Sequence, residues 1–202
     1  LTSMRTKFDA LLNVPADVLG CQEVRLDEPQ QQEMQRKLQE RGYDVVFGHP
    51  LQRQFGHSKL PSGGVAIVAR NELRLRTVPP QCQDSTCLWD SKRFAHGVCQ
   101  FDGAFLHVIS LYGFTNSARG PGQRAKNEAL LERLFRLLAT LGDVPIVILG
   151  DFNTSAEASP SISIAQGLIA PVPKEAGAKA KHTRPITVMS CVYRLWAGTR
   201  VG

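Results

Sequence analysis

Ile148-Leu149-Gly150-Asp151-Phe152-Asn153 joins an apolar run, Val144 to Leu149, to a glycine and then to an Asp-x-Asn pair. Successive side chains of an extended segment point to opposite faces, so Asp151 and Asn153 share one face while Phe152 turns back toward the core. That face carries a carboxylate beside a neutral amide. A hard divalent cation favours carboxylate oxygen, and Mg2+ commonly takes one or two protein carboxylates, with water and substrate phosphate completing its shell. The same residues also suit a strand ending in an Asp-initiated turn, because Asp and Asn bond readily to their own backbone. Taken alone, the stretch leaves both readings open.

Two other strand ends carry polar groups. Asp17 to Cys21 is a short apolar strand followed by Gln22 and Glu23, and Phe105 to Leu111 is another, followed by Tyr112 and Gly113. If these strands lie in one α/β layer, Glu23, Tyr112, Asp151 and Asn153 converge at one rim of a sheet. Each also has a plainer account: Glu23 as a solvated strand-end charge, Tyr112 as a half-buried ring with a wet hydroxyl.

Between these ends, strands and helices alternate. Thr6 to Leu12 has a short helical stripe of Phe8, Leu11 and Leu12, suited to covering a sheet. Glu28 to Glu40 reads as a polar helix with Met34 and Leu38 one turn apart, closed by Gly42, where a left-handed cap is cheap. Tyr43 to Phe47 follows as a strand. A turn at Pro61-Ser62-Gly63-Gly64 leads into Val65 to Ala69, which is wholly apolar and therefore expected to be central and covered on both faces. Leu75 to Phe101 is expected to be less regular, broken by Pro79-Pro80. Ala125 to Leu141 is the strongest helix, with Leu130, Leu131, Leu134, Leu137, Leu138 and Leu141 on one stripe. Its other face carries Arg124, Lys126, Arg133 and Arg136, which suits solvent as well as an anionic surface. The loop Thr115 to Gln123 places Arg119 after Tyr112, so Arg119, Lys92 and Arg93 are candidate phosphate contacts.

The formal charge of +6, from 24 Lys and Arg against 18 Asp and Glu, favours an anionic partner such as nucleic acid without showing one. The opening residues have no signal-peptide core and no apolar run reaches the length of a membrane span, so the expected location is intracellular, nuclear or cytoplasmic, and not secreted. Cys82, Cys87, His96 and Cys99 could be imagined as a zinc set, but their spacings are not those of common zinc modules. Free thiols are expected, with no disulfide.

The segments Ala16 to Glu23, Gly63 to Val68, Ser110 to Gly113 and Leu149 to Asn153, in this order, resemble the endonuclease/exonuclease/phosphatase superfamily, and in particular the endonuclease of non-LTR retrotransposons. The resemblance implies a four-layer α/β sandwich and a metal-dependent phosphodiesterase that uses Mg2+ (or Mn2+) on DNA, with no obligate protein partner. It implies Glu23 as a metal ligand together with Asp151, Asp151 and Asn153 as the acid and amide around the scissile phosphate, and Tyr112 as a phosphate-facing tyrosine. Gln22 takes the place of the superfamily's glutamine behind that glutamate.

The sequence departs from the family's pattern at both ends. Leu1-Thr2-Ser3-Met4 looks like the end of the first strand, and the strands expected after Gly167 are not found, nor is the Asp-His pair that supplies the family's base. The expectation is thus an incomplete sandwich lacking the first strand and the C-terminal strands, with residues 1–167 as a partial domain, 168–183 as a linker and 184–202 as a separate piece. Arg184 to Trp196 resembles the start of a non-LTR reverse transcriptase, and it also reads as a capping segment after a Pro/Gly/Lys-rich linker. His182, the only histidine after Asp151, sits in a basic loop and is not expected to act as base. A catalytically inactive remnant that binds nucleic acid is the alternative to an enzyme.

Overall fold

The computed structural model describes residues 3–55, 58–101, 103–115, 120–142 and 144–153. Its centre is β5, Val65–Arg70, paired antiparallel with β1, Val18–Gln22, on one side and β2, Tyr43–Phe47, on the other. Val65 to Ala69 are all fully buried. Their alternation explains why none is polar. Val65, Ile67 and Ala69 face the larger core, while Ala66 and Val68 face a second one containing Met34 and Leu38 of α2, Glu28–Gln39, with Phe8, Leu11 and Leu12 of α1, Phe8–Leu12, packed against it. The first helical stretch starts earlier than expected, as a 3-10 turn over Met4–Lys7 that buries Met4. Helix α2 is entered through a capping box. The Asp27 carboxylate accepts from the Gln30 backbone at 3.0 Å, and the Gln30 side chain accepts from the Asp27 N–H at 3.1 Å.

A second sheet has the order β6, Arg76–Thr77; β7, Phe94–Phe101; β8, Ala104–Tyr112; and β9, Ile146–Asp151. Strands β8 and β9 are parallel, which demands a crossover. That crossover is α4, Pro121–Leu141, whose buried Leu130, Leu131, Leu134, Leu137 and Leu138 lie on the sheet's outer side. It begins four residues before Ala125, since Pro121 at the first turn lacks only an N–H that the helix would leave unpaired anyway. A small hairpin, β3, Gln52–Phe55, with β4, Ser58–Pro61, precedes the turn into β5.

The stretch from Leu75 to Phe101 is more regular than expected. It contains β6, β7 and α3, Gln83–Asp90, and the two prolines interrupt only the connection between β6 and α3. Helix α3 buries Ser85, Leu88 and Trp89 at helical spacing and is tied to α4 by two 3.0 Å bonds from Arg136 to Asp84. The two sheets meet face to face. A Cβ on Gly20 would lie 2.4 Å from Leu149 Cβ, so only glycine permits this approach of β1 to β9. Helices, sheet, sheet and helices form the four layers. No helix among the described residues is long and apolar enough to cross a membrane.

Candidate active site

Strand β1 ends at Gln22, whose side chain faces the second sheet and donates from Nε2 to the Oγ of fully buried Ser110 at 3.1 Å. Beyond it the chain turns sharply. Glu23 and Arg25 both adopt left-handed backbone, with φ of 55° and 50°. Such conformations are uncommon for long side chains and cluster at functional sites. They are held by buried Val24 between them and by N–H bonds from Val24 and Arg25 to the carbonyls of Gly64 and Gly63, at 3.3 and 2.8 Å. Gly63 and Gly64 themselves have φ of 60° and 82°. The result presents the Glu23 carboxylate at the mouth of the sandwich. Its Oε1 accepts the Tyr112 hydroxyl at 2.6 Å, and its Oε2 pairs with Arg25 Nη2 at 2.6 Å.

Tyr112 and Asp151 end β8 and β9 and are register partners in the parallel ladder. The two loops that follow are pinned together. Gly113 donates its N–H to the Asp151 carbonyl at 2.7 Å, and Asn153 donates from Nδ2 to the Gly113 carbonyl at 2.9 Å. Asn153 is left-handed, with φ of 50°, and its N–H bonds Asp151 Oδ1 at 3.0 Å. Beneath them, buried Asn127 of α4 accepts the Phe114 N–H at 3.0 Å and donates to the Phe152 carbonyl at 2.9 Å. One amide thus fixes both loops.

Charge follows from this packing. Burial raises the Asp151 carboxyl above the ordinary carboxylate range, the Asn153 N–H opposes that, and the Glu23 charge raises it further. The Tyr112 phenol is likewise pushed well above its usual value, first by burial and then by its bond to Glu23. A cation beside Asp151 would relieve that cost of ionisation. No group of three or more His, Cys, Asp or Glu side chains that could hold a metal occurs among the described residues. Glu23 and Asp151 are the two carboxylates that this part of the described chain brings together, and a hard cation that keeps several waters needs no more than one or two.

The chain matches the Endonuclease/Exonuclease/phosphatase family over residues 6–199. It belongs to that family. No curated protein matches the sequence significantly. Many solved structures do. A 3′ phosphatase from Neisseria, NExo, bound to product DNA hairpin, superposes with a TM-score of 0.51 at 22% identity, over 75% of this chain and 54% of that one. An AP endonuclease from Archaeoglobus fulgidus gives 0.50 at 22% identity, over 75% and 54%. The human Nocturnin catalytic domain with bound sulfate gives 0.54 at 15% identity, over 78% and 58%. At these identities the likeness is one of fold. The chain spans just over half the length of these structures.

Within this member of the family, Glu23, Tyr112, Asp151 and Asn153 come together, but not at the rim of one sheet as expected. Glu23 follows β1 in the first sheet, whereas Tyr112 and Asp151 end strands of the second. The site spans the two sheets because β1 packs across β8 and β9 instead of pairing with them. Arg93 differs from expectation too. Its Nη1 donates to the carbonyls of Gly113 and Tyr112, at 2.9 and 3.3 Å. Its guanidinium lies 4.2 Å from the Phe114 ring centre and 5.1 Å from that of Tyr112. It braces the site from behind. Lys92 is exposed, with φ of 60°, and Arg119 lies outside the described residues, as do the linker, the reverse-transcriptase-like segment and His182. Cys82, Cys87 and Cys99 are free thiols, and His96 bonds His107.

Three contributors were not singled out beforehand. Arg25 gave no signal at all. Ser110 is a polar residue inside an apolar strand. Asn127 lies on the leucine stripe of α4, three and four residues before Leu130 and Leu131, where a polar side chain needs a buried partner.

Proposed function

We propose that this chain is a divalent-cation-dependent phosphodiester hydrolase of the nuclease branch, with DNA as substrate. The observation that carries this reading is the meeting of Glu23, Tyr112, Asp151 and Asn153 across the mouths of two sheets. Glu23 and Asp151 would hold Mg2+ or Mn2+. When bound, the cation withdraws charge from the phosphate and stabilises the leaving oxygen. Tyr112 orients the Glu23 carboxylate and turns its hydroxyl edge toward the phosphate. Asn153, aligned by the Gly113 carbonyl, sets its amide against a phosphate oxygen or the incoming water. Gln22 and Ser110 hold the strand end beneath them, and Arg93 keeps the Tyr112–Gly113 backbone in place.

The charge of +6 supports a polyanionic substrate, as does the DNA hairpin bound by the Neisseria 3′ phosphatase. A retrotransposon origin is supported by the likeness of Arg184 to Trp196 to the start of a reverse transcriptase. In that reading residues 1–167 form the nuclease part, 168–183 the linker and 184–202 the remnant; the family match, which runs on to residue 199, favours the capping role for the last segment. A second reading, binding of nucleic acid without cleavage, is favoured by one observation: the sequence contains no Asp-His dipeptide. A general base is typically worth about 10²–10⁴-fold in rate, so slow cleavage is expected of this polypeptide.

Nicking of supercoiled plasmid tests the proposal. Slow nicking is expected with Mg2+ or Mn2+, none with EDTA, and none in Asp151→Ala. Nicking that persists in Asp151→Ala would overturn the assignment of the site, and DNA binding with no cleavage at any cation concentration would select the second reading.

A further inference from the structure

Both oxygens of the proposed cation ligand are already engaged: Tyr112 donates to Oε1, and Arg25 pairs with Oε2 at 2.6 Å. The Arg25 side chain is 22% exposed and that of Glu23 is 45% exposed, so the pair sits at the lip of the site and opens to solvent. A hydroxyl and a cation can share a carboxylate, since the oxygens offer several lone pairs. A guanidinium and a divalent cation on one carboxylate repel each other at that range, so each weakens the other's hold. We propose that Arg25 changes partners: it neutralises Glu23 when no cation is present, and turns to an oxygen of the phosphodiester when the cation takes that carboxylate.

This rests on the reading of Glu23 as a cation ligand and adds a residue that binds the substrate anion. The backbone favours such an exchange. Glu23 and Arg25 are two residues apart, both left-handed, with Val24 buried between them. The Val24 and Arg25 amides are anchored on Gly64 and Gly63, so the Arg25 side chain can move while its Cα stays beside the site. A phosphate on the cation would lie next to Glu23, within reach of the released side chain. The planar fork of arginine matches phosphate oxygens with two parallel bonds, which an ammonium does not. Holding two left-handed non-glycine residues in succession around one buried valine has a cost, and the placement of both side chains at one mouth accounts for it.

Two binding measurements that need no turnover test the exchange. The first is Mn2+ titration of the protein alone, followed by electron paramagnetic resonance or calorimetry. Removal of the competing cation in Arg25→Gln should tighten Mn2+ by about five- to tenfold. Arg25→Lys, which retains the charge, should stay near wild type. The second is the anisotropy of a labelled twelve-base-pair DNA duplex in Ca2+. Here the order should reverse, with Arg25→Gln weaker than wild type by about tenfold and Arg25→Lys between them. Opposite signs in the two assays are not expected of a purely structural residue, and unchanged circular dichroism would show that each variant folds. Mn2+ affinity that is unchanged or weaker in Arg25→Gln while Glu23→Gln abolishes binding would overturn the exchange and leave the cation reading standing. Mn2+ binding indifferent to Glu23→Gln would end the cation reading, and the exchange with it.

Discussion

Asn127→Leu should destabilise this protein by about 1–3 kcal/mol, because it removes hydrogen bonds to two backbone groups at once, at about 0.5–1.5 kcal/mol for each bond. The groups are the N–H of Phe114 and the carbonyl of Phe152. Leucine matches asparagine in shape and continues the stripe of Leu130, Leu131 and Leu134, so the loss is one of hydrogen bonding more than of packing. The same amide ties the loop after Tyr112 to the loop after Asp151, so cleavage and Mn2+ binding should fall together in this variant. Asn127→Asp makes a second test. Its carboxylate can still accept from Phe114 but cannot donate to Phe152, so one bond of the two survives. Urea denaturation of the three proteins at pH 7 measures the effect. A loss below about 1 kcal/mol for Asn127→Leu, within the range of ordinary surface substitutions, would mean that the loops are held by something else.

Acid should weaken the fold through His96. This imidazole is 2% exposed on β7, with Nε2 2.9 Å from Nδ1 of His107 on β8. Burial first, and the neighbouring His107 second, lower its pKa from 6.5 to about 4. The folded chain therefore keeps His96 neutral where the unfolded chain protonates it. Between those two values the unfolded state binds the extra proton, so stability is complete above pH 6.5 and is lost as pH falls toward 4. A shift from 6.5 to about 4 corresponds to about 3 kcal/mol. His107 is also lowered by burial, and adds in the same direction. Unfolding free energies at pH 7.5 and pH 4.5 should differ more for wild type than for His96→Gln, since glutamine can still bond His107 without titrating. Parallel pH profiles for the two proteins would rule out His96 as the source.

Much of the site was readable because its signals are local. Asp151, Asn153, Tyr112 and Glu23 each follow an apolar run, but the two-residue period of a strand stops at Asp151, where β9 ends and an Asp-initiated turn with left-handed Asn153 takes over. Position in the second layer was harder. Helix α3 was missed because eight residues give barely two turns of stripe, and two prolines just upstream draw the eye to a break. Arg93 looked like a phosphate contact because a cation at a strand start has no sequence mark that separates an exposed charge from one bonded to carbonyls nineteen and twenty residues away.

What the sequence determined by itself is what short-range periodicity and turn chemistry carry: a wholly apolar β5 that must be covered on both faces, a leucine-striped α4, and an α2 followed by left-handed Gly42. Tertiary structure alone decided that β1 joins one sheet and β8 and β9 the other, that Glu23 meets Tyr112 across the gap between them, and that Arg25 lies on Glu23 while Arg93 lies behind Tyr112. The reason is separation along the chain. Glu23 and Tyr112 are eighty-nine residues apart, and no local period reports which strands pair and which merely pack. That choice is settled by the fit of whole faces, as at Gly20 against Leu149, where the absence of one Cβ lets the two sheets close and brings the carboxylates to a common mouth.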